Sequence, residues 1–108
     1  MSDPNARTAT AAPSWVLRSD APDPITFRIL PNAVKTVGRA VRADFILDAP
    51  LVSRVHCRFT SDEFGQVTLE DLDSTNGTFV NERRIDRAAL VAGDRIRIGR
   101  VEFVMAQG

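Results

Sequence analysis

The sequence predicts an all-β sandwich or barrel, and three observations carry that expectation. Apolar and polar residues alternate with a period of two over several short stretches. Turn signals built from Gly, Pro, Asn and Asp recur roughly every six to twelve residues. No segment sustains a helical period with caps at its ends.

The elements follow in order. Residues 1–13 hold nothing apolar larger than Ala after Met1. Such a stretch cannot bury a face, so it reads as a disordered tail before a domain spanning residues 14–106. Trp15-Val16-Leu17 opens the first strand, and Asp20-Ala21-Pro22-Asp23-Pro24 breaks it, because proline removes a ladder donor. Ile25, Phe27 and Ile29 alternate with Thr26 and Arg28. Pro31-Asn32-Ala33 turns the chain into Val34 to Val37, which Gly38 closes. Phe45-Ile46-Leu47 is a further short apolar run. Val55, Cys57 and Phe59 alternate with His56, Arg58 and Thr60, and Val67 and Leu69 alternate with Thr68 and Glu70. Thr78-Phe79-Val80 follows Asn76-Gly77. Ile96 and Ile98, then Val101, Phe103 and Met105, complete a set of about ten strands. The segment from Arg84 to Val91 is short and lacks a convincing apolar stripe.

A chain of 108 residues is one domain's worth and can bury a real core without staples. Lys+Arg and Asp+Glu are both 14, so no broad positive excess marks a general nucleic-acid or anionic-membrane binder. The single cysteine, Cys57, excludes an internal disulfide and a cysteine-based zinc site, and no metal or cofactor is expected. No apolar run reaches the ~18 residues of a membrane span, and the N-terminus lacks a signal-peptide core. A cytoplasmic monomer is the expectation. Lys35 is the one lysine among the 14 basic residues. That bias reflects either genome composition or the use of arginine forks on planar anions, and only position separates the two.

Three loops carry unusual polar content: Gly38-Arg39, Ser53-Arg54-Val55-His56, and Asp73-Ser74-Thr75-Asn76-Gly77-Thr78. Singly, each has a plain reading as a turn, a cap or a solvated arginine. Together they form an ordered series: Gly38-Arg39, Ser53-x-x-His56, Ser74 to Thr78, Val80-Asn81, and Gly93-Asp94-x-Ile96-x-Ile98-Gly99. In this series the sequence resembles a forkhead-associated (FHA) domain, from about Trp15 to Met105. The resemblance implies a β-sandwich of two twisted antiparallel sheets with eleven strands. It also implies recognition of phosphothreonine peptides by loops at one end.

The resemblance places Arg39, Ser53, Arg54 and Thr75 on the phosphate, where a doubly charged group needs converging donors and a positive charge. It places Asn76, and with it Asn81, on the ligand backbone. Gly38, His56 and Gly77 become supports, with His56 holding Ser53 in place rather than acting as a base. The threonine methyl would seat in a small pocket, a burial of about 0.8 kcal/mol. Arg42, Arg83 and Arg84 are candidates for flanking contacts or for plain solvated charges. The implied partner is a threonine-phosphorylated protein, a kinase or its substrate, with no nucleic acid and no membrane.

Two other classes compete. Ser53, His56 and Asp71 or Asp73 contain the residue types of a hydrolase triad. The spacing of Ser53 and His56 on an extended segment sets them on opposite faces, and no Gly-x-Ser-x-Gly elbow or P-loop is present. No catalytic residue is therefore assigned. The alternative is a phospho-independent interaction or oligomerisation module on the same fold, since a fold does not fix a ligand.

Overall fold

The computed structural model describes residues 12–108; the tail reading over residues 1–11 lies outside the described residues. Eleven strands form the domain: β1 (Trp15–Ser19), β2 (Thr26–Ile29), β3 (Val34–Gly38), β4 (Phe45–Ile46), β5 (Cys57–Ser61), β6 (Val67–Asp71), β7 (Thr78–Val80), β8 (Arg83–Ile85), β9 (Arg87–Leu90), β10 (Arg95–Ile98) and β11 (Val101–Gln107). They divide into a six-stranded sheet, β2-β1-β11-β10-β7-β8, and a five-stranded sheet, β4-β3-β5-β6-β9. The all-β sandwich expectation holds. One pair departs from antiparallel order: β4 runs parallel to β3, with Val37 opposite Phe45 and Gly38 opposite Ile46. Among the described residues no helix is long and apolar enough to cross a membrane.

The alternating residues supply the core because every second side chain points inward. Leu17, Phe27, Ile29, Val37, Phe59, Leu69, Ile96, Ile98, Phe103 and Met105 are buried between the sheets. Phe27 stacks on Phe45 at 4.4 Å and on Phe103 at 5.4 Å, joining the two sheets through aromatic faces. Cys57 is buried here, and desolvation pushes its thiol well above the ordinary range, with the charge of Asp71 adding. A thiol so placed behaves as a small hydrophobe.

Two readings of the alternation shift. Val55 is 40% exposed, because the ladder begins only at Cys57 and Val55 lies in the preceding loop. The stretch without an apolar stripe, Arg84 to Val91, forms β8 and β9. Both are edge strands, so each has one free side and little need of apolar residues.

The registers fix which loops share an end. Gly38, Cys57, Asp71, Thr78 and Ile98 lie at one end of their strands, where β3–β4, β4–β5, β6–β7 and β10–β11 connect. The hairpin Asn81–Glu82 and the turn around Gly93 lie at the other. At that far end Trp15 Nε1 donates to the Gly65 carbonyl at 2.7 Å, and Pro13 packs against Gly65.

Phe59 is fully buried at the centre of the smaller sheet. Phe59→Ala is expected to cost about 3–5 kcal/mol of unfolding free energy. Urea denaturation followed by Trp15 fluorescence measures it.

Candidate functional site

Gly38 sets the approach of the first two loops. A Cβ there would sit 2.1 Å from the Arg54 carbonyl oxygen, so only glycine lets β3 pass under the Ser53–Arg54 segment. The loops then run side by side: Arg39 N–H donates to Ser53 O and Ala40 N–H to Arg54 O, both at 3.0 Å. Asp44 closes the first loop by accepting the Thr36 N–H and hydroxyl. The Thr36 backbone bond, then its hydroxyl, hold this exposed carboxyl below its ordinary range, with a smaller pull from Lys35.

His56 ties the second loop to the third. Its ring is fully buried. Nδ1 accepts the Ser53 backbone N–H at 3.0 Å, and Nε2 lies 2.8 Å from the Gly77 carbonyl. These partners assign the neutral tautomer with its proton on Nε2, donating to Gly77. Ser53 Oγ accepts the Thr75 N–H at 3.0 Å. His56 thus meets the backbone of Ser53 and not its hydroxyl, so the two do not form a nucleophile and base.

The third loop is wound around Asp71. Its carboxylate accepts the Ser74 hydroxyl, the Ser74 N–H at 3.1 Å and the buried Thr78 hydroxyl at 2.7 Å. Ser74 Oγ in turn accepts the Gly77 N–H at 2.9 Å. Gly77 has φ +87°, a left-handed value suited to glycine. Burial alone would raise the Asp71 carboxyl. Hydrogen bonds from Ser74 and Thr78 outweigh it and hold the group below its ordinary range.

This frame leaves a set of donors at the surface. Arg39 is exposed and uses Nε on the Val52 carbonyl at 2.9 Å. Among the described residues its terminal nitrogens have no hydrogen-bond or ion-pair partner. Arg54 is exposed beside it. Thr75 and Asn76 are exposed on the third loop, and Asn76 Nδ2 donates to the Leu51 carbonyl at 3.1 Å. Leu51 has φ +69°, an uncommon state for a bulky side chain and one that concentrates at functional sites. Two guanidinium groups, hydroxyls and amides at one end make a place for an oxyanion. Among the described residues no three His, Cys, Asp or Glu side chains gather as metal ligands do.

The structure brings together Gly38, Arg39, Ser53, Arg54, His56, Thr75, Asn76 and Gly77. It does not bring Asn81 to them. Asn81 lies at the opposite end of β7, roughly 13 Å along the strand from Gly77. Both ends of its side-chain amide are engaged there, donating to Asp94 Oδ1 and accepting the Arg95 N–H, both at 3.0 Å. The placement of Asn81 on a ligand backbone is therefore corrected to a hairpin anchor. Asp71 had drawn notice only as a triad candidate, and its contacts with Ser74 and Thr78 cross from β6 to β7. The β10–β11 turn also lies beside the second loop, because Gly99 packs against Pro50, Leu51 and Val52.

A family model for the FHA domain matches residues 35–99, which contain every residue of this cluster. The chain belongs to the FHA domain family. It is 38% identical over 82 residues to the glycogen accumulation regulator GarA of Mycobacterium tuberculosis, a match covering 74% of this chain and 49% of GarA. It is 36% identical over 80 residues to the oxoglutarate dehydrogenase inhibitor of Corynebacterium efficiens, covering 74% of this chain and 56% of that protein. The chain spans about half the length of these curated relatives. A solved FHA domain studied for phosphothreonine-dependent interactions superposes with a TM-score of 0.81 at 33% identity, covering 88% of this chain and 97% of that one.

Two predictions test the frame of this FHA domain. Asp71→Ala orphans the buried Thr78 hydroxyl and is expected to cost about 1.5–3 kcal/mol near neutral pH. Because the folded carboxyl lies below its ordinary value of 3.8, its contribution is complete above that value and lost as pH falls through the folded one. The gap in stability between the two proteins should therefore narrow as pH drops below about 4, read by denaturation at a series of pH values. Gly38→Ala should cost about 1–3 kcal/mol and displace the Ser53–Arg54 segment, seen as amide shift changes at Arg39 to Ala40 and Ser53 to Val55.

Proposed function

We propose that this FHA domain is a non-catalytic reader of phosphothreonine in a partner protein. The observation that carries the reading is the division of labour at Ser53 and Arg39. Ser53 Oγ already accepts the Thr75 N–H, so its own proton remains for an anion. Arg39 commits only Nε, which leaves two terminal nitrogens for a forked bond to phosphate oxygens. Arg54 adds charge, and Thr75 adds a hydroxyl. Asn76 engages the ligand backbone through the amide oxygen that its bond to Leu51 leaves open. Gly38, His56 and Gly77 hold these groups in register and do not touch the ligand.

Kinship with a regulator and an enzyme inhibitor supports a signalling role rather than catalysis. The FHA domain studied for phosphothreonine-dependent interactions supports the ligand. The partner is a threonine-phosphorylated kinase or kinase substrate. The domain acts as a cytoplasmic monomer without a cofactor and without nucleic acid or membrane.

Fluorescence anisotropy against degenerate phosphothreonine, threonine and phosphoserine peptide libraries tests the reading. Saturable binding is expected for the phosphothreonine set alone. Arg39→Ala should weaken it by about 2–5 kcal/mol while leaving the thermal melt unchanged. Equal or absent binding across the three sets would overturn the reading in favour of a phospho-independent module.

A further inference from the structure

We propose that the outer face of the six-stranded sheet is a second recognition surface, one that docks a carboxylate-rich surface of a partner protein. The inference stands on charge placement and does not rest on phosphothreonine reading. The inward positions of this sheet are taken by Leu17, Ile29, Val80, Ile96, Ile98, Phe103 and Met105, so their neighbours face outward. The cross-strand registers set those neighbours in rows. Arg84, Phe79, Arg97 and Glu102 form one row. Arg95, Val104, Arg18 and Thr26 form the next. Ala106, Val16 and Arg28 form a third.

Arg18, Arg28, Arg84, Arg95 and Arg97 thus share a face with one acid, Glu102, in a chain whose formal net charge is zero. Asp20, Asp23 and Glu82 stand on turns and not on these strands. The outer face of the other sheet differs. There Arg58 and Arg87 flank Glu70, Arg58 bonds Glu70 at 2.8 Å, and Thr36, Thr60 and Thr68 fill the neighbouring positions. Arginine bias from genome composition would not by itself sort the charges onto one sheet.

Two of these arginines are also held in place. Arg97 lies over the Phe79 ring at 4.0 Å, and Arg95 Nε bonds Glu102 at 2.9 Å. Guanidinium groups fixed before contact lose less freedom on binding. Spacings of about 4.8 Å across strands and 6.8 Å along them suit several carboxylates on a flat surface. The details favour protein over other polyanions. Phe79 is covered by Arg97 and offers no base-stacking platform. The large exposed hydrophobics, among them Val41, Phe64 and Val91, all lie off this sheet, so it has no anchor for a bilayer.

The test uses fluorescein-labelled decaglutamate, which carries no phosphate, in anisotropy titrations at low salt. Wild type and Arg39→Ala should bind alike. Arg18→Gln/Arg28→Gln/Arg84→Gln should bind roughly tenfold more weakly or worse. Amide shift changes in the wild-type protein should fall on β1, β2, β8, β10 and β11, which decides the matter even if the triple variant folds poorly. Four results would overturn the proposal: no binding, loss of binding in Arg39→Ala, shift changes confined to the loops, or equal affinity for oligothymidylate or phosphatidylserine vesicles. Concentration-dependent self-association that the triple variant abolishes would also overturn it, making a second copy the occupant.

Discussion

His56 is the only histidine of the chain, and its buried ring is the joint on which the candidate site depends. One nitrogen takes the Ser53 N–H and the other gives a proton to the Gly77 carbonyl, so a five-atom ring spans two loops far apart in sequence. Ser53 then reaches across to the Thr75 amide. No other side chain could do this with the same geometry, because the joint needs an acceptor and a donor on opposite sides of a rigid plane. The surface donors inherit their positions from this interior link. They can be exposed and still be held, which lowers the entropy that binding must overcome.

Much of this was legible in the sequence, and the reasons for success and failure are physical. Strands with one buried and one wet face announced themselves by strict alternation, as Ile25 to Ile29 and Val67 to Leu69 do. The edge strands Arg83–Ile85 and Arg87–Leu90 bury little and left no pattern to find. Val55 continued the alternation of Cys57 and Phe59 by chance, one step beyond the ladder. The loop motifs marked their own positions, because Gly38, His56 and Gly77 are residues with few substitutes. Asn81 was misplaced since neighbourhood along the chain says nothing about which end of a strand a residue occupies. Asp71 was undervalued because its worth lies in contacts with Ser74 and Thr78 across a turn, and a lone acid at a strand end carries no such signal.

The same architecture separates tasks. One end of the sandwich carries crowded backbone, glycine where no side chain fits, and Leu51 held in a left-handed state by the loops around it. The opposite end has left-handed residues of its own, Asn32, Asn81 and Glu82, in hairpin turns where Asn81 and Asp94 bond to each other and to neighbouring backbone. The core between them needs only shape and apolarity, which Phe27, Phe45 and Phe103 supply by stacking.

The position of β11 has a bearing on how the domain comes into being. This strand, the last and longest of the domain, lies between β1, the first, and β10, and forms two of the five ladders of the larger sheet. Until it emerges from the ribosome, β1 and β2 have no partner on that side, and the smaller sheet has no full lid over its apolar face. The nascent chain therefore cannot lock in piecemeal. The domain must wait for β11 and then close in one cooperative step, at the leisurely pace that pairing between distant strands imposes.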